Sequence, residues 1–404
     1  MRKRWVQIVL AIAILIVQSG CWNRVELNEL SIISATGIDI DDKGRWRLSF
    51  QLVIPQAISS TTGVSTNAAP VYVFSTEDES MRGAVRKSSL ELSRKLYFSH
   101  NQMVVISEKA ARYGIGTLME AYMRNADARE TVAVFLTRES ARNTLEQLVS
   151  MEKIPGAAIQ HMIQNEAANG GSFPQTSVFR VQQELLGGTH ATGIPSLMLA
   201  GKGSSFDSLN LMQKTHSDIK IKLGRLGIIK GDKLVGWLDA EESMGAMWLA
   251  NRIQRTVLPF PCAPSRKKDS SLRIIDTDTH VKPVRKGNRF VMDVHTKVSG
   301  TLYEYSCDDD MTKPATIVKV QQAIAEEVKR VMQTGWKSLQ RQQADIVGFG
   351  GAVHEKFPKQ WRSLAANWNE QLDQVEVNYD VKVSVEQTGM SSNSFHSKQD
   401  KQGG

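Results

Sequence analysis

The stretch Val375-Glu376-Val377-Asn378-Tyr379-Asp380-Val381-Lys382-Val383-Ser384-Val385-Glu386 alternates apolar and polar residues without a fault. Period-two alternation puts the apolar side chains on one face of a strand, so the segment reads as a half-exposed β-strand packed on helices. Upstream, Ile317, Val320, Ile324, Val328, Val331 and Leu339 recur at spacings near three and four, the stripe of a long helix with one buried face. A shorter helix from Pro358 to Asn367 opens with Pro in its first turn, where a missing N–H costs little. Two strand-like segments, Leu272 to Val281 and Arg289 to Tyr305, precede the long helix. Strands and helices in separate runs define an α+β unit.

Further out, Ile32, Ile33, Ala35 and Gly37 to Ile40 read as a strand that turns at Asp41-Asp42-Lys43-Gly44. Trp46, Leu48, Phe50 and Leu52 then alternate with Arg45, Arg47, Ser49 and Gln51, which predicts an antiparallel hairpin with one buried face. Ile58 to Pro70 is polar and aperiodic and reads as a mobile loop. Val71 to Phe74, Gln102 to Ser107 and Thr131 to Thr137 read as strands, separated by helical periods over Met81 to Leu96 and Lys109 to Arg124. Helix and loop follow to about Gly188. A second unit opens near Ala191 with strands at Gly193 to Leu199, Ile219 to Ile229 and Lys233 to Leu238, then a helix from Glu241 to Arg252. A polar, proline-marked junction runs from Pro259 to Ser271. The predicted fold class is therefore α+β: three small mixed-sheet domains packed with amphipathic helices, at 21–190, 191–258 and 259–390. A signal peptide at 1–20 precedes them and a disordered tail at 391–404 follows.

The N-terminus has the build of a secretory signal. Arg2, Lys3 and Arg4 precede the apolar run Ile8 to Val17, and the small residues Ser19 and Gly20 follow. About ten apolar residues are half the length of a membrane span. Cys21 directly after Ser19-Gly20 resembles the bacterial lipobox, with Gln18 standing where Leu is usual. Cys21 is thus the expected lipid attachment site and first residue of an exported, membrane-anchored protein; two or three acyl chains hold a bilayer far better than one.

Lys and Arg exceed Asp and Glu by eight, and by five once the three signal cations leave. Such an excess suits a surface near anionic headgroups, while nucleic-acid binding would need a basic stripe interleaved with aromatics, so no nucleic-acid partner is expected. Cys262 and Cys307 are left free to pair in an oxidising compartment, which spacing alone does not decide. No HExxH, Walker A, GxSxG, CxxC or dinucleotide motif is present, so no catalytic residue, cofactor or metal site is expected. Gly348-Phe349-Gly350-Gly351 reads as a turn, His354-Glu355 and Glu241-Glu242 as surface, and Trp22, Trp237, Trp336, Trp361 and Trp368 mostly as core or boundary packing.

Three stretches in order carry a family resemblance. They are Gly20-Cys21-Trp22-Asn23-Arg24-Val25-Glu26-Leu27-Asn28-Glu29-Leu30, continuing through Ala35-Thr36-Gly37-Ile38-Asp39; Gly231-Asp232-Lys233-Leu234-Val235-Gly236-Trp237-Leu238; and Ala344-Asp345-Ile346-Val347-Gly348-Phe349-Gly350 with Pro358-Lys359-Gln360-Trp361. The chain resembles the C-subunit family of bacterial spore germinant receptors, the Ger(x)C lipoproteins. The resemblance implies three α+β domains without catalytic activity, lipid on Cys21, and a place at the extracytoplasmic face of the spore inner membrane. It also implies A and B receptor subunits as partners in nutrient-triggered germination. The rival is a solute-binding lipoprotein of an import system, which shares the lipobox but usually presents two lobes of repeated βα units.

Overall fold

The computed structural model describes residues 2–7, 26–58, 68–125, 127–149, 151–201, 208, 219–262, 267–287, 289–307 and 309–387. The expected mobile loop at 58–70 lies largely outside these residues, and the expected tail at 391–404 wholly outside.

The hairpin forms where the sequence places it. β1 (Leu30–Ile40) and β2 (Trp46–Val53) pair antiparallel. Asp41 Oδ1 accepts from the N–H of Lys43 (2.9 Å) and Arg45 (2.8 Å), and Gly44 takes φ +79°, which an Asx-type turn closed by glycine requires. The burial differs from the expected single face, because helices cover the strands on both sides. Ser49 and Gln51 are buried along with Phe50. Their polarity is absorbed locally: Ser34 Oγ donates to Gln51 Oε1 (2.8 Å), and Gln51 Nε2 donates to the Leu145 carbonyl (2.7 Å).

β3 (Val71–Asp78) extends the hairpin on one side. On the other, β4 (Lys95–Tyr97) runs parallel to the start of β1 and β5 (Met103–Ser107) to its later part, followed by β6 (Ala133–Thr137) and β7 (Ala191–Gly201), all parallel. β8 (Ile219–Lys230) and β9 (Lys233–Leu238) close the sheet antiparallel. The boundary expected at 190/191 is thus no break in the sheet: β7 lies beside β6, with Leu136 facing Ser196, and one nine-stranded sheet runs from β3 to β9. Pairing with β7 covers an edge of β6 that would otherwise present unpaired N–H and C=O groups.

Two expected helices are shorter than their periodicity. α1 (Met81–Lys87) stops where Ser88 Oγ and Ser89 Oγ donate to the carbonyls of Val85 (2.7 Å) and Arg86 (2.8 Å), and a 3-10 turn, Ser88–Leu90, leads on to β4. The period over Lys109 to Arg124 forms α2 (Glu108–Tyr113) and α3 (Gly116–Met123), broken at Gly114, φ +142°, where a Cβ would stand 2.7 Å from Asp232 Oδ2. α4 (Ala141–Glu146), α5 (Pro155–Asn169), α6 (Val178–Leu186) and α7 (Ala240–Leu249) complete this half.

The second sheet has the order β10 (Thr256–Phe260), β11 (Ser270–Lys286), β12 (Arg289–Glu304), β13 (Glu376–Gln387), with β13 parallel to β12. β13 is the faultlessly alternating strand, and Val377, Tyr379, Val381, Val383 and Val385 lie half-buried on the core. α8 (Pro314–Gln342), α9 (Phe349–Lys356) and α10 (Pro358–Leu364) pack with this sheet. Cys262 and Cys307 form a disulfide with Cα atoms 5.6 Å apart. Closing a loop of 45 residues contributes about 4 kcal/mol through the unfolded chain.

Alternate residues of the central strands feed two cores. Val104, Ile106, Val134 and Leu136 join the cluster beneath α1 to α3, while Met103, Val105, Ala133 and Phe135 join one that continues through Trp248 to Val331 and Phe290 at the second sheet. The α+β class with mixed sheets and amphipathic helices stands; the described residues arrange it as two sheets on a shared core.

The two halves meet where α7 crosses α8 with backbones in contact. A Cβ on Gly245 would lie 2.1 Å from the Val331 carbonyl, and one on Gly335 2.5 Å from the Ala246 nitrogen. Gly335→Ala is therefore expected to destabilise the chain by about 2–3 kcal/mol in denaturant unfolding, because the helices must separate. Gly351→Ala, with nothing within 4 Å of the added Cβ, should leave stability unchanged or slightly raised; equal losses in both would contradict the close crossing.

Candidate functional site

Cys21, the expected lipid attachment site, lies outside the described residues, as does Trp22. Asp39, Gly37, Asp232, Gly236, Asp345, Gly348 and Gly350 of the three motif stretches do lie within them, and several of these join one element to another.

In the first stretch, Asp39 at the end of β1 receives the N–H groups of Ala141 (2.9 Å) and Arg142 (3.1 Å) and the hydroxyl of Ser140 (3.1 Å). A carboxylate at this place satisfies the unpaired donors that open α4. Gly37 lets α4 close on β1: an added Cβ would meet Leu145 at 3.1 Å and Ala141 at 3.2 Å. In the second stretch, the Asp232 carbonyl accepts from Ile115 N–H (2.7 Å) at the break between α2 and α3. Gly236 makes room for Gln342, whose amide donates to the Trp237 carbonyl (3.2 Å) and so ties the end of α8 to β9.

The third stretch forms a knot. Asp345 is fully buried, and its Oδ1 accepts from the N–H groups of Val347 (3.2 Å), Gly348 (2.8 Å) and Phe349 (3.2 Å), while Oδ2 accepts from Gly350 N–H (2.6 Å) and Trp368 Nε1 (2.8 Å). Burial pushes this carboxyl up from the ordinary range, and the converging donors oppose that. With both oxygens occupied and no solvent contact, the group has no lone pair to offer a substrate. Gly348 takes φ +85° to start α9, and a Cβ on Gly350 would stand 2.7 Å from Trp361 and 2.8 Å from the Trp368 nitrogen. The knot reaches the first sheet through Asn369, which accepts from Asp345 N–H (2.9 Å) and donates to the Thr189 carbonyl (2.6 Å) just before β7.

The stretch 348–351, expected as a turn, is instead the start of α9: Gly348 is its N-cap and 349–351 lie in the helix, while the tryptophans at 336, 361 and 368 are core residues. Glu241-Glu242 is more than a solvated pair. Glu241 receives both guanidinium nitrogens of Arg330 (2.8 and 3.0 Å), whose hydrogen bonds hold its carboxyl below the usual range, and Glu242 closes a capping box on α7 with Asp239. Burial alone would raise the neighbouring Glu327; hydrogen bonds from Arg330 (2.8 Å) and Lys268 (2.7 Å) outweigh it and lower the carboxyl. His354 is exposed and stacks on Trp361. Among the described residues no group of three or more His, Cys, Asp and Glu is placed to hold a metal ion, and no helix is long and apolar enough to cross a membrane.

Residues 23–199 match the family model described as the spore germination protein N-terminal domain, and residues 224–389 the one described as spore germination B3/GerAC like, C-terminal. The chain belongs to the Ger(x)C family. Relatives of this Ger(x)C chain include spore germination protein KC of Bacillus subtilis, 28% identical over 95% of this chain and 96% of the relative. Spore germination protein B3 of the same organism is 20% identical over 91% and 93%. The crystal structure of the GerBC protein shares the fold, with a TM-score of 0.55 at 18% identity over 87% of this chain and 96% of that one. The family is one of germinant receptor subunits and not a known enzyme family, and the import-system alternative is not favoured.

The knot generates a test. Asp345→Asn turns an NH2 group toward N–H donors, loses at least two hydrogen bonds and leaves donors buried without partners. Chemical denaturation should register a loss of about 3 kcal/mol or more, and Trp368→Phe, which removes one donor, about 1 kcal/mol. A fully stable Asp345→Asn chain would rule out the knot as described.

Proposed function

We propose that the chain is the lipid-anchored C subunit of a nutrient germinant receptor. It is held by acyl chains on Cys21 at the extracytoplasmic face of the spore inner membrane, where it supports assembly and signalling of the A and B subunits without catalysing a reaction. The observation that carries this reading is the pair of family matches, which follow one another along the chain from residue 23, two residues after Cys21, to residue 389. The organisation of the motif residues agrees with it: Asp39, Asp232 and Asp345 engage backbone and side-chain partners within the fold, so these motif residues serve the fold. A lipid tether then confines that body near membrane-embedded partners and raises its effective concentration for them with no new contact.

Mass spectrometry of the mature protein should find diacylglycerol on Cys21 as the first residue. Spores carrying Cys21→Ala should respond to nutrient markedly more slowly, while the soluble chain keeps its thermal unfolding profile. A normal nutrient response from an untethered chain at native abundance would refute the tethering role, and turnover of a substrate by the purified chain would refute the non-catalytic one.

A further inference from the structure

Between α1, the segment 88–94, β4 and the residues after α3, a groove of about 460 Å³ is lined by Arg82, Arg86, Arg94 and Lys95, with Asp127 as the acid among its lining residues. All four cations are exposed. Arg82 and Arg86 stand four apart on α1 and so share a side of the helix. None of the four has an ion-pair partner among the described residues, whereas Lys87, on the same short helix, pairs with Asp78 at 2.8 Å. Other cations of this half are paired, such as Arg45 with Asp41 and Arg112 with Glu108; what sets the groove apart is that four cations without an ion pair line one concavity. Four cations against the single acid Asp127 leave the groove net positive, and an external anionic surface is attracted to it.

The position of the groove says which surface. Lys95 is the first residue of β4 and stands in register with Leu30, the first residue of β1. Leu30 lies nine residues from Cys21, so a fully extended connection spans at most about 30 Å. The turn between α1 and β4 carries Leu90 with 76% of its surface exposed, beside Ser88 and Ser89 of the groove wall. Basic side chains around an exposed leucine, next to a membrane tether, are the composition of a segment that lies in a headgroup layer.

We infer that the Arg82, Arg86, Arg94 and Lys95 groove, with Leu90 at its rim, is the face this protein lays against an anionic phospholipid bilayer. The orientation follows: α1, the 88–90 turn and β4 face the headgroups. This inference rests on the lipid-anchor reading for its choice of surface, and its test is made without the lipid. Each basic residue near such a surface strengthens attachment roughly fivefold.

The mature chain carrying Cys21→Ser, prepared without acyl groups, is sedimented with vesicles rich in phosphatidylglycerol and with vesicles of pure phosphatidylcholine. It should bind the first and not the second, and release as salt is raised, because the attraction is screened. Arg86→Glu with Arg94→Glu should weaken binding about 25-fold or more at unchanged thermal unfolding, from two such contributions lost. Leu90→Ser should weaken it further at fixed salt, and Lys282→Glu with Arg285→Glu on the second sheet should leave it unchanged. Equal binding to both vesicles, no binding to either, or indifference to the Arg86 and Arg94 reversal overturns the inference. An unmodified Cys21 in the native protein would instead defeat the anchor alone and leave the vesicle result as measured.

Discussion

The carboxyl group of Asp345 sits where no water reaches it, and five N–H donors converge on its two oxygens. A buried acceptor of this kind is stable while its partners are held in place, so it sets the geometry of all that surrounds it. It fixes the path from the end of α8 into α9, which in turn requires the positive φ of Gly348. It orients Trp368, whose ring packs edge-on against Trp361, and it leaves Gly350 so close to both rings that no side chain fits there. Through Asn369 it reaches Thr189 at the entrance to β7. A single acid thereby links the helical layer of the C-terminal half to the first sheet, and the close crossing of α7 and α8 makes the same connection through backbone contact.

Much of this was legible in the sequence, for reasons particular residues explain. The Val-alternating strand at 375–386 is half-exposed in the fold, so its period survives intact. The stripe from Ile317 to Leu339 is legible for the same reason, since α8 keeps one face in solvent. What escaped is of three kinds. Helix ends set by serine hydroxyls at 88 and 89, and by a glycine pressed against Asp232 at 114, depend on partners the local period does not display. The second buried face of β2 was hidden because Ser49 and Gln51 are polar, and their hydrogen bonds come from elements distant in sequence. The continuity of the first sheet past residue 190 depends on pairing between β6 and β7, which lie more than fifty residues apart. Asp345 was visible within a family motif; its role was not, because an Asp followed by glycines has the same sequence on a solvated turn.

The motif residues hold the fold together, whereas the basic groove lies outside the motifs and close to the start of β1. Under the proposed lipid anchor, a preferred face would let the other surfaces meet membrane-embedded partners in a fixed orientation, and a modest electrostatic attraction would supply that preference without replacing the tether. The second sheet, with His280, His295 and Asp380 in register across β11, β12 and β13, presents its polar face on the far half of the shared core.

The two sheets are parts of one body, joined by a common core, the α7 and α8 crossing and the Asp345 knot. Differential scanning calorimetry of the unacylated mature chain tests it most directly, because a shared core cannot melt in one half while the other stays folded. The account predicts one transition whose calorimetric and van't Hoff enthalpies agree. Two resolved transitions, each carrying about half the enthalpy, would contradict it.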